Sequence, residues 1–180
     1  MAGRQAKILS ADDVGDLLTF ASIGRHQLRN RVLVLLSAKA GLRAGEIAQL
    51  TWDMLVDGNG NLGRVIELRD GVAKNGGGRR IPIHPDLATA LSEWRQTTVP
   101  SEYVIRSERG GPMTPLSIVV WFNRAFKAIG LRGCSSHSGR RTFVTRAAGP
   151  HLGIGRFTVG QGVSRMPQSP KGPEPSPPSR

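Results

Sequence analysis

Four residues of this chain have the types and spacing to grip a phosphate and move a proton at it: Arg43, Lys74, His137 and Arg140. Each stands where a turn gives way to regular structure. In Gly41-Leu42-Arg43-Ala44-Gly45-Glu46-Ile47 a glycine turn sets Arg43 at a helix start, where unpaired backbone N–H groups also favour an anion. Glu46, one helical turn on, is placed to hold the guanidinium as a buttress. Lys74 opens a Gly-rich basic tip, Lys74-Asn75-Gly76-Gly77-Gly78-Arg79, and His137-Ser138-Gly139-Arg140 puts a histidine and an arginine around another helix start. Phosphodiester transfer suits this set. Its transition state spreads negative charge over non-bridging oxygens, which two planar guanidiniums can clamp bidentately. A lysine or histidine beside them can hand a proton to the departing oxygen. Protein cations carry the charge, so no metal or other cofactor is expected, and no Asp/Glu cluster stands at metal-ligand spacing.

Plainer readings compete. Arg43 could be a surface arginine paired with Glu46, Lys74 a solvated turn residue, and His137 a helix cap or a core histidine. Arg79, Arg80 and Arg141 are candidate contacts to a DNA backbone, or members of a solvated face. Trp52, Trp94 and Trp121 sit among apolar neighbours and are expected in the core; Cys134 is expected to be inert.

Charge weighs towards the sharper reading. Twenty-five Lys and Arg face 13 Asp and Glu, a formal net charge of +12, which attracts polyanions and nucleic acid first among them. An anionic membrane or a basic surface kept for solubility would explain it less well. A single cysteine in 180 residues leaves no intramolecular disulfide, which suits a reducing cytoplasm. The longest apolar run, Val32-Leu33-Val34-Leu35-Leu36, is too short to span a bilayer, and no N-terminal segment reads as a signal peptide.

Several elements must position these residues. Ser10, with Asp12 and Asp13 behind it, caps a helix whose Val14, Leu17, Leu18 and Ala21 share a face. A second helix is predicted over 25–40, with Leu28, Val32, Leu35 and Leu36 at helical spacing and Gly41 as its stop. A short third follows over 44–50. Strands are predicted over 62–68 and 80–83, the second an edge strand because of Pro82, with the basic tip between them. A helix over 85–96, a short strand at Tyr103-Val104-Ile105, and a helix over 115–129 with Val119, Phe122, Phe126 and Ile129 inward come next. The last helix opens near Ser138 and carries Phe143, Val144 and Ala147. The fold class is therefore mainly α with a small antiparallel β-sheet. Residues 1–148 form one domain. Residues 149–180 hold seven of 12 prolines and no apolar periodicity, and read as a disordered Pro/Gly/Ser tail.

The boxes also resemble a known family. Gly-Leu-Arg-x-x-Glu-Ile-x-x-Leu-x-Trp at 41–52 is similar to the first-arginine motif of the tyrosine recombinases, the phage-integrase family. Lys74 followed by Arg79-Arg80-Ile81-Pro82-Ile83 resembles that family's lysine hairpin. His137-x-x-Arg140, with Arg141-Thr142-Phe143 behind it, resembles the second-arginine box. Order and spacing fit across about residues 8–148. The resemblance implies that Arg43 and Arg140 bind the scissile phosphate, that His137 assists, and that Lys74 is the general acid for the 5′-hydroxyl. In the family a tyrosine attacks, forming a 3′-phosphotyrosine link that stores the bond energy for strand exchange.

The resemblance breaks at both ends. After Arg140 the family brings a Gly-His (or Trp) element and then the tyrosine; here no nucleophile is identified. Tyr103, the sole tyrosine, precedes the His-x-x-Arg box, and His151 follows Arg140 too closely. The change of character near Gly149 is read as a shift of reading frame or a fusion. A neighbouring frame of the locus that restores a Gly-His and tyrosine segment would support this, and none in either frame would sink it. Ten residues before the first helix are also too few for the core-binding domain of most relatives, so the chain is read as a short branch or a fragment. The expected function is site-specific recombination and integration of double-stranded DNA, with this chain binding DNA without cleaving it. Its expected partners are DNA and protomers of a full-length recombinase, not a membrane, and its expected place is the cytoplasm, at the nucleoid. The alternatives are an accessory or dominant-negative DNA-binding fragment and a pseudogene product. RNA binding is disfavoured, for no aromatic stacking platform is visible.

Overall fold

A computed structural model describes residues 6–73 and 77–148. Lys74 and the expected tail, 149–180, lie outside the described residues. The apolar run Val32–Leu36 dictates the plan: a helix apolar all round must be covered on every side. It is. Helix α2 (Gln27–Ala38) is central, with α1 (Ala11–Ala21), α4 (Pro85–Thr97) and α6 (Ser138–Ala147) packed upon it. The short α3 (Ala44–Ala48) bridges α2 to α5 (Pro115–Ala128), which also meets α1. Strands β1 (Val65–Leu68) and β2 (Arg79–Pro82) form one antiparallel pair, in register from Val65 opposite Pro82 to Leu68 opposite Arg79. Ile66, Leu68 and Ile81 turn inward, Glu67 and Arg80 outward. The expected class, mainly α with a small antiparallel sheet, is the observed one. No helix among the described residues is long and apolar enough to cross a membrane.

Local chemistry sets the ends. At α1 the Ser10 hydroxyl accepts from Asp13 N–H at 3.0 Å while Asp13 returns a bond to Ser10 N–H at 2.8 Å, a reciprocal cap. Ser10→Ala is expected to cost about 1 kcal/mol, checked by thermal unfolding; an unchanged midpoint would mean the cap contributes nothing. Helices α4 and α5 each open on a proline behind a side-chain cap, His84 and Thr114. Helix α2 stops at Ala38, two residues before the expected end, because Gly41 takes φ +63° and Leu42 N–H turns back to Leu36 C=O at 3.0 Å.

Several expectations are corrected. The early turn of α2 buries Arg29 and Asn30, leaving Leu28 half-exposed; Arg29 is held by Arg106 C=O at 3.2 Å and Asn30 Oδ1 at 3.3 Å. Burial lowers the Arg29 pKa, with Glu108 partly offsetting it. The 103–105 segment is no strand: it makes one bridge, Thr51 to Tyr103, and lies along residues 50–52, with Val104 N–H on Leu50 C=O at 2.9 Å. The α5 stripe is Ile118, Phe122, Ala125 and Phe126, with Ile129 packed beside it and Val119 only half-buried. The three tryptophans are half-buried on the rim of the core.

Helix α6 departs most. Phe143 is half-buried, while Val144 and Ala147 are exposed; the buried residues are Ser138, Gly139 and Thr142. Small residues face inward because α6 lies hard against the end of α2. A Cβ on Gly139 would meet Ser37 Oγ at 2.2 Å, and one on Gly41 would meet Phe143 Cδ1 at 2.4 Å. Helix α6 and the turn before it are also tied to the N-terminal segment. Leu9 N–H donates to Thr142 Oγ1 at 2.7 Å, Arg141 Nη1 donates to Ala6 C=O at 2.6 Å, and Lys7 N–H reaches Gly133 C=O at 3.4 Å.

Candidate active site

Three elements bring an arginine each to one carboxylate. Arg43 directly precedes α3 in extended backbone, so its own N–H donates to Glu46 Oε2 at 2.8 Å, and its Nη1 to Glu46 Oε1 at 3.0 Å. The expected anion at this helix start is thus Glu46 itself. Arg79, from β2, donates from both terminal nitrogens, to Oε1 at 3.0 Å and Oε2 at 2.8 Å. Arg140, in the first turn of α6, lies 3.9 Å from Oε2 and donates to Gly41 C=O at 2.7 Å. The glycine turn therefore serves twice, by stopping α2 and by seating Arg140.

Charge is layered by burial. The Glu46 side chain is 2% exposed, whereas those of Arg43, Arg79 and Arg140 are 32%, 30% and 26% exposed. One anion lies inside and three cations reach the surface over it. Burial alone would raise the Glu46 pKa; the Arg79 hydrogen bond, the Arg43 backbone N–H and the charges of Arg79 and Arg140 outweigh it and hold the carboxyl below its ordinary value. Burial lowers the Arg140 pKa, helped by the Arg43 and Arg79 charges and opposed by Glu46. A guanidinium starts so high that it stays charged. With five N–H donors each, Arg43 and Arg140 retain donors beyond those spent here.

His137 caps nothing and is no core residue. It is exposed, precedes α6, and its imidazole has no hydrogen bond among the described residues; only its backbone is tied, the N–H donating to Ser135 Oγ at 3.3 Å and the C=O accepting from Arg141 N–H at 3.0 Å. It sits three positions before Arg140, a spacing that puts both on one side of the helix start. Of the expected set, Arg43, Glu46 and Arg140 come together, His137 stands in the same turn as Arg140, and Lys74 lies outside the described residues.

The three residues expected on a DNA backbone separate. Arg79 is committed to Glu46. Arg80 is well exposed and pairs across the hairpin with Glu67 at 3.2 Å. Arg141 spends a donor on Ala6 C=O. The part played by Arg79 is what sequence reasoning missed. A signal was present: Arg79 stands two residues before buried Ile81 and so shares its inward face, while Arg80 takes the other. Among the described residues no group of three or more His, Cys, Asp or Glu is gathered as a metal site.

Comparison with known proteins gives this geometry a context. Residues 7–149 match the model of the phage integrase family. No curated protein matches the sequence. Among solved structures the chain is similar to XerA recombinase, at 22% identity and a TM-score of 0.63, over 81% of this chain and 53% of that one. It is similar to the Tn1549 transposon integrase in complex with circular intermediate DNA, at 21% identity and a TM-score of 0.62, over 78% and 52%. A lambda integrase dimer bound to a COC′ core site is similar at 22% identity and a TM-score of 0.62, over 79% and 41%. At such identities the likeness is one of fold, and the chain spans about half the length of these proteins.

Proposed function

The chain belongs to the phage integrase family, and from that premise we propose that its arginine cluster holds a phosphodiester of duplex DNA, as part of site-specific recombination and integration. The observation that carries the reading is the convergence of Arg43, Arg79 and Arg140 on buried Glu46, with cationic surplus left at the surface. On this reading Arg43 and Arg140 clamp the non-bridging oxygens, His137 donates to the same phosphate, and Glu46 is a buttress. Lys74, on the motif alone, is the general acid for the 5′-oxygen. Arg80 and Arg141 reach the flanking backbone with the donors they have left. Residues 1–148 make the catalytic-type domain and 149–180 a separate tail. The protein works in the cytoplasm, at the nucleoid, alongside protomers of a full-length recombinase.

Binding without cleavage is the form of this function that the chain's tyrosine favours. Tyr103 is the one tyrosine in the sequence; it is bridged to Thr51, and among the described residues no hydrogen bond joins its hydroxyl to the cluster. The chain then acts as an accessory or dominant-negative DNA-binding module.

Titration of the full chain with duplex DNA at several salt concentrations tests both halves. Binding should weaken steeply with salt, and Arg43→Gln and Arg140→Gln should each weaken it about tenfold and lower the log–log salt slope by roughly one. Salt-insensitive binding, or variants that bind like the wild type, would refute the phosphate site. On a nicked duplex that traps covalent intermediates no adduct is expected; an adduct lost in Tyr103→Phe would refute the binding-only form.

A further inference from the structure

We infer that Arg79 is a positioning residue of this site: it neutralises the buried Glu46 carboxylate from the hairpin side, leaving Arg43 and Arg140 their outward donors for phosphate. The inference rests on the phosphate-site reading above. Three observations carry it. Of the three arginines, Arg79 alone gives both terminal nitrogens to Glu46, one to each oxygen, at 3.0 and 2.8 Å. Arg43 commits one terminal nitrogen, and Arg140 stands off at 3.9 Å with its hydrogen bond on Gly41 C=O. Arg79 is also anchored by its strand, since its register partner is Leu68, a core residue of β1.

A carboxylate that is 2% exposed cannot turn to water for its missing partners. Without Arg79 the nearest cations to satisfy it are Arg43 and Arg140, and both are drawn inward from the surface that would meet DNA. The fork explains why this position holds an arginine: two parallel N–H···O bonds fix the carboxylate plane, which a lysine point charge cannot do. It also ties the root of the segment bearing Lys74, five residues earlier in sequence, to α3.

A double-mutant cycle on the full chain tests this, with Kd for one duplex DNA measured across salt concentrations and thermal unfolding followed in parallel. Arg79→Gln should weaken binding about tenfold and lower the salt slope by roughly one. In a Glu46→Gln background, where no buried charge needs neutralising, the same replacement should weaken binding less than about threefold and leave the slope unchanged. Loss of fold alone would lower the thermal midpoint without this rescue. Equal losses in both backgrounds would mean that Arg79 touches DNA itself, and no loss in either would mean that it positions nothing; each overturns the inference. If Arg79→Gln does not unfold cooperatively, Arg79→Lys carries the cycle, with a loss of about threefold that Glu46→Gln abolishes. The wild type and Arg43→Gln separate the two ideas. If the wild type binds no DNA, or Arg43→Gln binds as well as it does, the phosphate site falls and Arg79's role with it. If both controls behave and only the cycle fails, Arg79's role alone is lost.

Discussion

Replacing Glu46 with alanine is expected to destabilise the fold by about 2–4 kcal/mol, a drop in the thermal midpoint of roughly 5–10 °C. Removing the buried anion leaves three guanidiniums from α3, β2 and α6 facing one another across a cavity. Breaking a fully buried ion pair costs about 3–5 kcal/mol. The arginines here are about a third exposed, so solvent screens part of that repulsion and the lower figure applies. Glu46→Gln should cost less, because the amide oxygen still accepts one hydrogen bond. The pH dependence has a fixed sign. The Glu46 carboxyl is held below its ordinary value, so the unfolded chain takes up its proton first as acid is added. The contribution is full above the ordinary carboxylate range and is lost as pH falls through the lowered folded value. Thermal unfolding of wild type and Glu46→Gln across that range should therefore converge towards acid. A Glu46→Ala loss under about 1 kcal/mol would show that the carboxylate does not hold the three elements together.

Gly139→Ala should be nearly as costly, about 1–3 kcal/mol, although the change puts a better helix former into a helix. The new methyl would lie 2.2 Å from Ser37 Oγ and 3.0 Å from both Ser37 Cβ and the Ser37 carbonyl carbon. Rotating the hydroxyl relieves only the first contact; the other two belong to atoms fixed in the middle of the core. Helix α6 must then back away, and His137 and Arg140 travel with it, so DNA affinity should fall about tenfold with a stability loss of this size. Ser37→Gly offers relief, because among the described residues nothing hydrogen-bonds the buried Ser37 Oγ, and its removal strands none of them. Adding Ser37→Gly to Gly139→Ala should recover about half of both losses. Additive damage in the double variant would show that the α2–α6 contact is not the cause.

The parts of the site written within one helical turn were legible from the residues alone. Arg43 with Glu46, and His137 with Arg140, are local pairs whose geometry follows from the helix repeat. The parts that depend on distant chain meeting chain were not. Arg79 reads as one more basic residue in a basic loop, and only its alternation with Ile81 hints that it turns inward to a carboxylate 33 positions away. Val144 reads as core by type, yet the closeness of α2 demands glycine, serine and threonine on that face, and Val144 is turned to solvent. On α5 the apolar neighbours Ile118 and Val119 compete for one face, and packing, not composition, chooses Ile118. Tyr103-Val104-Ile105 has strand-forming residues but finds a partner for a single bridge, which is not enough to make a strand.

The ties between the N-terminal segment and α6 have an entropic consequence. Leu9 to Thr142 and Arg141 to Ala6 join residues 133 and 135 positions apart, and Arg140 to Gly41 spans 99. The chain entropy lost on closing such a loop grows only with the logarithm of its length, and it is lost once for all the bonds that share the closure. Whichever tie forms first bears that cost, and the others follow almost freely. The segment around Ala6–Leu9 and the helix bearing His137 and Arg140 therefore open and close as one cooperative unit. The placing of Arg140 beside Glu46 is thereby coupled to the docking of residues 6–9, in one equilibrium.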